Sequence, residues 1–230
     1  MKTIGLIGGM SWESTAEYYR LLNEAVKEKL GGLHSARCIV YSVDFAEIET
    51  LQREGQWAEA TTLLVGAAQS LERAGAGVVL LCTNTMHKLA DLIAASVRIP
   101  FLHIADAAAQ SVMRAGIRRV ALLGTRFTME EDFYRGRLKD RFDLEVLIPG
   151  ETGRETVHRI IYRELCVGIV RPESKQELIQ ITNELIKNGA QGVILGCTEL
   201  GLLIHDGDVS ASVFDTTRLH VVAALETAFA

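Results

Sequence analysis

The chain has 230 residues, is 48% hydrophobic, holds only 3 prolines and carries a net charge of −5. That supports one large domain or two small ones around a real core, and it argues against disorder. Scattered, slightly acidic charge argues against nucleic-acid binding, and no apolar run approaches the roughly 18 residues that a membrane helix needs.

Short apolar runs alternate with longer amphipathic ones along the whole chain. A strand is expected at 3–7 and a helix at 12–30, opened by Ser11 as N-cap and closed by Gly31-Gly32. Then follow a strand at 37–42, a helix at 57–74, a strand at 77–81 and a helix at 85–96. The next elements are a strand at 101–104, a helix at 105–115, a strand at 120–124 and a helix at 129–139. The last are a strand at 144–147, helices at 154–167 and 173–188, strands at 192–195 and 213–214, and a helix at 217–229. This alternation predicts an α/β fold built on mainly parallel sheets flanked by helices.

The chain also repeats itself. Thr3-Ile4-Gly5-Leu6-Ile7-Gly8 is matched by Val120-Ala121-Leu122-Leu123-Gly124-Thr125, and Gly75-Ala76-Gly77-Val78-Val79-Leu80 by Gly189-Ala190-Gln191-Gly192-Val193-Ile194. A weaker match joins the segments 99–106 and 211–216, and each spacing is about half the chain. Two pseudo-symmetric lobes are therefore expected, the first from 1–100 plus 213–230 and the second from 101–212. Open α/β sheets bind ligands at the carboxyl ends of their strands, so the expected site lies in the cleft between the lobes.

Four cysteines are present, Cys38, Cys82, Cys166 and Cys197, with no C-x-x-C pair, so no metal site is expected. No secretory leader is visible at the N-terminus. A cytoplasmic location with reduced thiols is the expectation. G-L-I-G-G at 5–9 fits neither dinucleotide nor Walker loops, which disfavours nucleotide binding. The strand expected at 77–81 runs into Leu80-Leu81-Cys82-Thr83-Asn84-Thr85-Met86-His87. Side chains alternate faces along a strand, so Cys82 and Thr83 cannot both point to the same site. A gapless alignment of the halves matches Thr83 to Cys197; a shift by one matches Cys82 to Cys197. The repeat leaves both open.

Thr83-Asn84-Thr85 and Gly196-Cys197-Thr198-Glu199, together with Ile7-Gly8-Gly9-Met10-Ser11 and Gly124-Thr125-Arg126-Phe127-Thr128, resemble the aspartate/glutamate racemase family. The resemblance runs in order over nearly the whole chain. It implies amino-acid racemases that use no pyridoxal phosphate or other cofactor, and in which two acid–base residues, usually cysteines, flank the substrate Cα. The family's C-N-T reads T-N-T here, so the resemblance implies Cys197 and Thr83 as the catalytic pair and leaves Cys82 a structural thiol. A strand end that opens a helix favours a Cys197 thiolate. A threonine hydroxyl suits proton donation or positioning better than abstraction, so turnover is expected to differ between enantiomers.

The substrate carboxylate needs donors aimed at it as charge develops, and Asn84, Thr85, Thr198, Thr125 and Thr128 are the candidates, each also a possible helix cap. Glu199, which completes the second-lobe motif, is expected to bind substrate as well, and Met10 and Gln52 to line the pocket. In acidic-substrate relatives two basic residues hold the side-chain carboxylate; here Glu49 and Cys166 stand near those positions, with Gln52, Arg53 and Arg163 close by. Substrates beyond aspartate and glutamate are therefore expected. The resemblance further implies a homodimer acting on a small molecule. Its neighbours leave two alternatives, a related single-cysteine arylmalonate decarboxylase or maleate isomerase, and a non-catalytic small-molecule binding module.

Overall fold

A computed structural model describes residues Met1–Ala230. Two compact units emerge, Met1–Ile104 with His220–Ala230, and Ala105–Leu219.

The first unit holds β1 (Ile4–Gly8), α1 (Trp12–Leu30), β2 (Cys38–Ser42), α2 (Phe45–Glu54), α3 (Trp57–Arg73), β3 (Val78–Leu81), α4 (Ala90–Ala95) and β4 (Phe101–Leu102). Its sheet is parallel, in the order β2-β1-β3-β4. The central strands β1 and β3 are buried throughout, as expected of parallel strands covered on both faces. On one face Val79 and Leu81 pack with Ile48 of α2 and with Leu64, Ala67, Ala68 and Leu71 of α3. On the other, Val78, Leu80 and Cys82 pack with Tyr18, Leu22 and Val26 of α1 and with Val221, Ala224 and Leu225.

The second unit repeats this plan. It contains α5 (Ile104–Arg114), whose first residue closes the first unit, β5 (Arg119–Gly124), α6 (Arg126–Glu130), α7 (Asp132–Phe142), β6 (Glu145–Leu147), α8 (Glu151–Arg163), α9 (Pro172–Lys187), β7 (Gly192–Gly196) and β8 (Ser212–Asp215). Its parallel sheet runs β6-β5-β7-β8. Helix α10 (Thr216–Phe229) starts in the second unit and ends in the first. No helix is long and apolar enough to cross a membrane.

Every expected strand forms, but the lobe boundaries differ from those expected. β4 pairs with β3 and belongs to the first unit, while β8 pairs with β7 and belongs to the second. Pairing partners, not the point of repeat, decide membership. Three expected helices break in two. The 85–96 segment becomes a 3₁₀ turn, Thr85–Leu89, followed by α4. Extended backbone at Glu131 separates α6 from α7. The third break follows α8 at Glu164, whose buried carboxylate accepts from Ser174 Oγ at 2.6 Å and from Arg159 at 3.1 Å. Helix α2 was not expected. Its signal is present in Asp44-Phe45-Ala46-Glu47: Asp44 caps the helix by accepting from Ala46 N–H at 3.0 Å, and left-handed Gly55 closes it.

Tyr18 and His220 form a buried polar pair within the first unit. His220 Nε2 lies 2.9 Å from the Leu102 carbonyl and Nδ1 lies 2.8 Å from the Tyr18 hydroxyl. A carbonyl only accepts, so the ring proton sits on Nε2 and Nδ1 accepts from Tyr18. Complete burial depresses the His220 pKa from 6.5 to about 4. Between those values the unfolded chain binds a proton that the folded one does not, so stability rises with pH across that window and is lost as pH falls through it. The expected size is about 3 kcal/mol. Urea unfolding at pH 7 and pH 4.5 measures it, and His220→Gln should flatten that part of the slope.

Candidate active site

In the second unit, β5 and β7 end on paired glycines, Gly124 and Gly196. A Cβ on Gly124 would sit 2.7 Å from the Gly196 carbonyl oxygen, and Thr128 packs against both positions, so the two strand ends approach more closely than other residues allow. Cys197 follows directly in extended conformation and opens a 3₁₀ turn, Thr198–Leu202. Its sulfur shares a hydrophobic cluster with Val193 and Leu195, so it continues that row of the strand.

Glu199 organises the polar end of this strand. The Cys197 thiol donates to Oε2 at 3.0 Å, Thr198 Oγ1 donates to the same oxygen at 2.7 Å, and the Cys166 thiol approaches Oε1 at 3.8 Å. Burial, then the negative charge of Glu199, push the Cys197 thiol well above its ordinary pKa. The expected resting thiolate is thus replaced by a thiol. A neighbouring carboxylate and loss of water outweigh the short helix that follows. Thr125 caps α6 by accepting from Thr128 N–H at 3.3 Å, and their hydroxyls lie 3.2 Å apart. Structure and sequence therefore agree in bringing Cys197, Thr198, Glu199, Thr125 and Thr128 to one end of one sheet, and Cys166 joins them.

The first unit ends its central strands in the same way. Gly8 closes β1, and a Cβ there would lie 2.6 Å from Thr15 Oγ1. Gly9 follows with φ +91°, and its N–H donates to Thr15 Oγ1 at 2.8 Å, which pins the Gly8–Ser11 loop onto α1. Ser11 caps α1 as expected, accepting from Ser14 N–H at 3.3 Å. The end of β3 is tied to this loop: Cys82 N–H donates to Ile7 O at 2.9 Å and Ser14 Oγ donates to Cys82 O at 3.0 Å.

Sheet register sets the correspondence between the two strand ends. Ile7 pairs with Leu81 in the first sheet, and Leu123 pairs with Leu195 in the second. With Gly8 matched to Gly124, Cys82 corresponds to Gly196 and Thr83 to Cys197. Packing agrees: Cys82 is fully buried beside Val78 and Leu80, and burial raises its thiol far above the ordinary range. Thr83 stands two residues beyond Leu81, as Cys197, which shares a cluster with Val193 and Leu195, stands two beyond Leu195. Asn84 and Thr85 follow, both buried.

The other expected residues fall as follows. Gln52 is buried on α2, with Nε2 2.8 Å from Met86 Sδ, so it reaches the turn after Thr83. Met10 packs into the apolar cluster with Ile7, Leu81 and Met86, which makes it a core methionine at the edge of the first loop. Glu49 pairs with exposed Arg53 at 3.6 Å, and Arg163 is exposed at the end of α8. No group of three or more His, Cys, Asp or Glu side chains is placed to hold a metal ion.

The family model for Asp/Glu/Hydantoin racemases matches residues 7–224. The chain belongs to the Asp/Glu/Hydantoin racemase family. It is an isomerase, an amino-acid racemase. A crystal structure of a Yersinia pestis protein assigned as an Asp/Glu racemase is similar over 100% of both chains, at 54% identity and a TM-score of 0.92. An aspartate racemase homologue from Pyrococcus horikoshii OT3 is 38% identical over 100% of both chains, with a TM-score of 0.87. The broad specificity amino-acid racemase RacX of Bacillus subtilis is 21% identical over 97% of each sequence.

Sequence reasoning about this racemase missed the second thiol at Glu199. Cys166 entered as standing near a position where acidic-substrate relatives carry a basic residue, and nothing in its spacing pointed to the carboxylate of Glu199. The Cys197–Glu199 contact has a direct consequence. Glu199→Gln should lower the Cys197 pKa, because one of its causes is removed while burial remains. Alkylation by iodoacetamide followed by peptide mass spectrometry across pH 6–10 should place the Cys197 reactivity midpoint lower in the variant than in the parent.

Proposed function

We propose that this racemase inverts α-amino acids without a cofactor, with Cys197 and Thr83 exchanging protons with opposite faces of the same Cα. The observation that carries this reading is the equivalence of Thr83 and Cys197 in register, each two residues beyond a matched leucine, Leu81 in β3 and Leu195 in β7. Two related strand ends supply the two faces that a planar intermediate requires.

Protons balance through Glu199. As the Cys197 sulfur takes the α-proton, the proton already on it passes along the 3.0 Å contact to the Glu199 carboxylate. Charge then builds on the substrate carboxylate, met by Asn84, Thr85 and Thr198 and by the backbone N–H groups that follow Thr83 and Cys197. On the other face the Thr83 hydroxyl relays a proton from solvent, passing its own to Cα as it takes one from water. In the reverse direction Thr83 relays the α-proton out to water, Cys197 is the donor, and the proton on Glu199 returns to its sulfur.

The substrate class is aspartate, glutamate and neutral amino acids. Acidic relatives are expected to grip the side-chain carboxylate with two basic residues, whereas here the nearby Arg53 is exposed and paired with Glu49, and Cys166 faces Glu199. Without a dedicated cationic clamp a site discriminates weakly between charged and neutral side chains. The breadth named for the Bacillus subtilis relative is in keeping with this.

Incubation of a panel of L-amino acids in D2O should give α-deuteration with loss of optical purity, and Cys197→Ser should reduce both by about 100-fold or more. Carbon dioxide release from an arylmalonate without amino-acid exchange would instead identify a decarboxylase. Ligand-induced stabilisation without any exchange would identify a binding module. Thr83→Cys replaces a poor acid–base group with a thiol, so deuterium exchange starting from D-substrates should rise above that of the parent, while Cys82→Ala should leave it unchanged.

A further inference from the structure

Thr83 carries the weaker acid–base group of the proposed pair, and its main chain is held by a residue to which the reaction gives no task. His87 is buried in the first unit, with Nδ1 2.7 Å from the Thr83 carbonyl oxygen. The Ile104 N–H donates to its Nε2 at 3.2 Å. Nε2 accepts and so bears the lone pair, which puts the proton on Nδ1 and directs it to Thr83 O. The ring is wedged against His103 and Phe101, with centroids 4.5 Å and 5.7 Å away. Ile104 is the residue at which the chain leaves the first unit. One imidazole thus ties Thr83 to that exit.

A trans peptide points its carbonyl and its N–H in opposite directions. Holding the Thr83 carbonyl therefore fixes ψ of Thr83 and aims the Asn84 N–H away from His87. The second unit solves the same problem differently. There the Leu200 backbone N–H donates to Cys197 O at 3.1 Å. Gly201 occupies the place matching His87, and a Cβ on it would come within 2.7 Å of Asp215 Oδ2. The imidazole brace belongs only to the half that carries the hydroxyl.

We propose that His87 is a positioning residue for Thr83: by gripping the Thr83–Asn84 peptide it sets the direction of the Thr83 hydroxyl and of the Asn84 N–H toward the substrate. A thiol with a large, polarisable sulfur tolerates misplacement better than a hydroxyl, so the brace is needed on this side. The inference rests on the proposed roles of Thr83 and Cys197, and the experiment separates the two.

The readout is the ratio of racemisation to α-proton exchange in D2O, starting from the enantiomer that Cys197 deprotonates. His87→Ala should lower racemisation about 10- to 100-fold, as misplacement of a catalytic group does. Exchange should stay within about threefold of the parent, because Cys197 and Glu199 still take up the proton and swap it with solvent. His87→Asn, which keeps a short donor toward Thr83 O, should recover part of the racemisation. Should His87→Ala fail to fold, His87→Asn against His87→Gln makes the same comparison. A parallel fall of exchange and racemisation assigns His87 a merely structural role and overturns the inference, as does unchanged racemisation. Absence of exchange in the unaltered protein overturns the mechanism itself.

Discussion

Everything proposed for this protein depends on the alternation of side chains at the carboxyl ends of two parallel strands. β3 and β7 occupy the same place in their sheets, and Thr83 and Cys197 stand at matched positions beyond their ends. A slip of one residue in either strand would bury the hydroxyl or the thiol among aliphatic side chains and present Cys82 or Gly196 instead. Gly124 and Gly196 guard against such a slip in the second unit, since only residues without a Cβ fit the approach of their strand ends. In the first unit Gly8 does this together with Thr15, whose hydroxyl also holds the Gly9 N–H.

The second sheet end sets two physical demands against each other. A proton acceptor benefits from negative charge, yet burial beside Glu199 keeps the Cys197 thiol protonated at rest. The conflict is what makes the pair useful. A free thiolate would need no partner but would be open to oxidation and alkylation, as exposed low-pKa thiols are. A thiol hydrogen-bonded to a carboxylate becomes basic only when something drives its proton onto Glu199. The ammonium group of an arriving amino acid is the kind of charge that does so, since it favours negative sulfur in its neighbourhood. Activation by the substrate's own charge fits the cofactor-free mechanism proposed for this site.

Much of this was legible in the residues. The eight strands, the parallel α/β class and the duplication follow from periodicity and from repeated glycine-edged runs. Thr83, Asn84, Cys197 and Thr198 entered through the resemblance to the racemase family, at strand ends where open α/β sheets bind ligands. What was not legible depends on contacts between segments distant in sequence. Which of Cys82 and Thr83 corresponds to Cys197 needed the pairing of Ile7 with Leu81. That β8 joins the second unit needed its pairing with β7. The protonation of Cys197 needed the position of a carboxylate two residues away, and spacing alone does not tell whether such a side chain turns toward the sulfur or away. The breaks at Glu131 and Glu164 escaped a reading based on helical period because hydrophobic spacing continues across a short interruption.

The two units differ where their chemistry is proposed to act, and thermodynamics limits what that difference can do. Enantiomers in solution have equal free energy, so their equilibrium constant is one and kcat/KM must be the same in both directions. Replacing a thiol by a hydroxyl on one face therefore cannot make the enzyme favour one product. It can only raise the barrier that both directions share, and redistribute binding and turnover between kcat and KM for each enantiomer. A hydroxyl in the place of a thiol lifts the proton-transfer step at the Thr83 face above that at the Cys197 face. On the roles proposed here the shared barrier lies at Thr83, and His87, proposed to orient it, would act on the slowest step in both directions. In the half that holds the sulfur, the matching brace is only a backbone N–H.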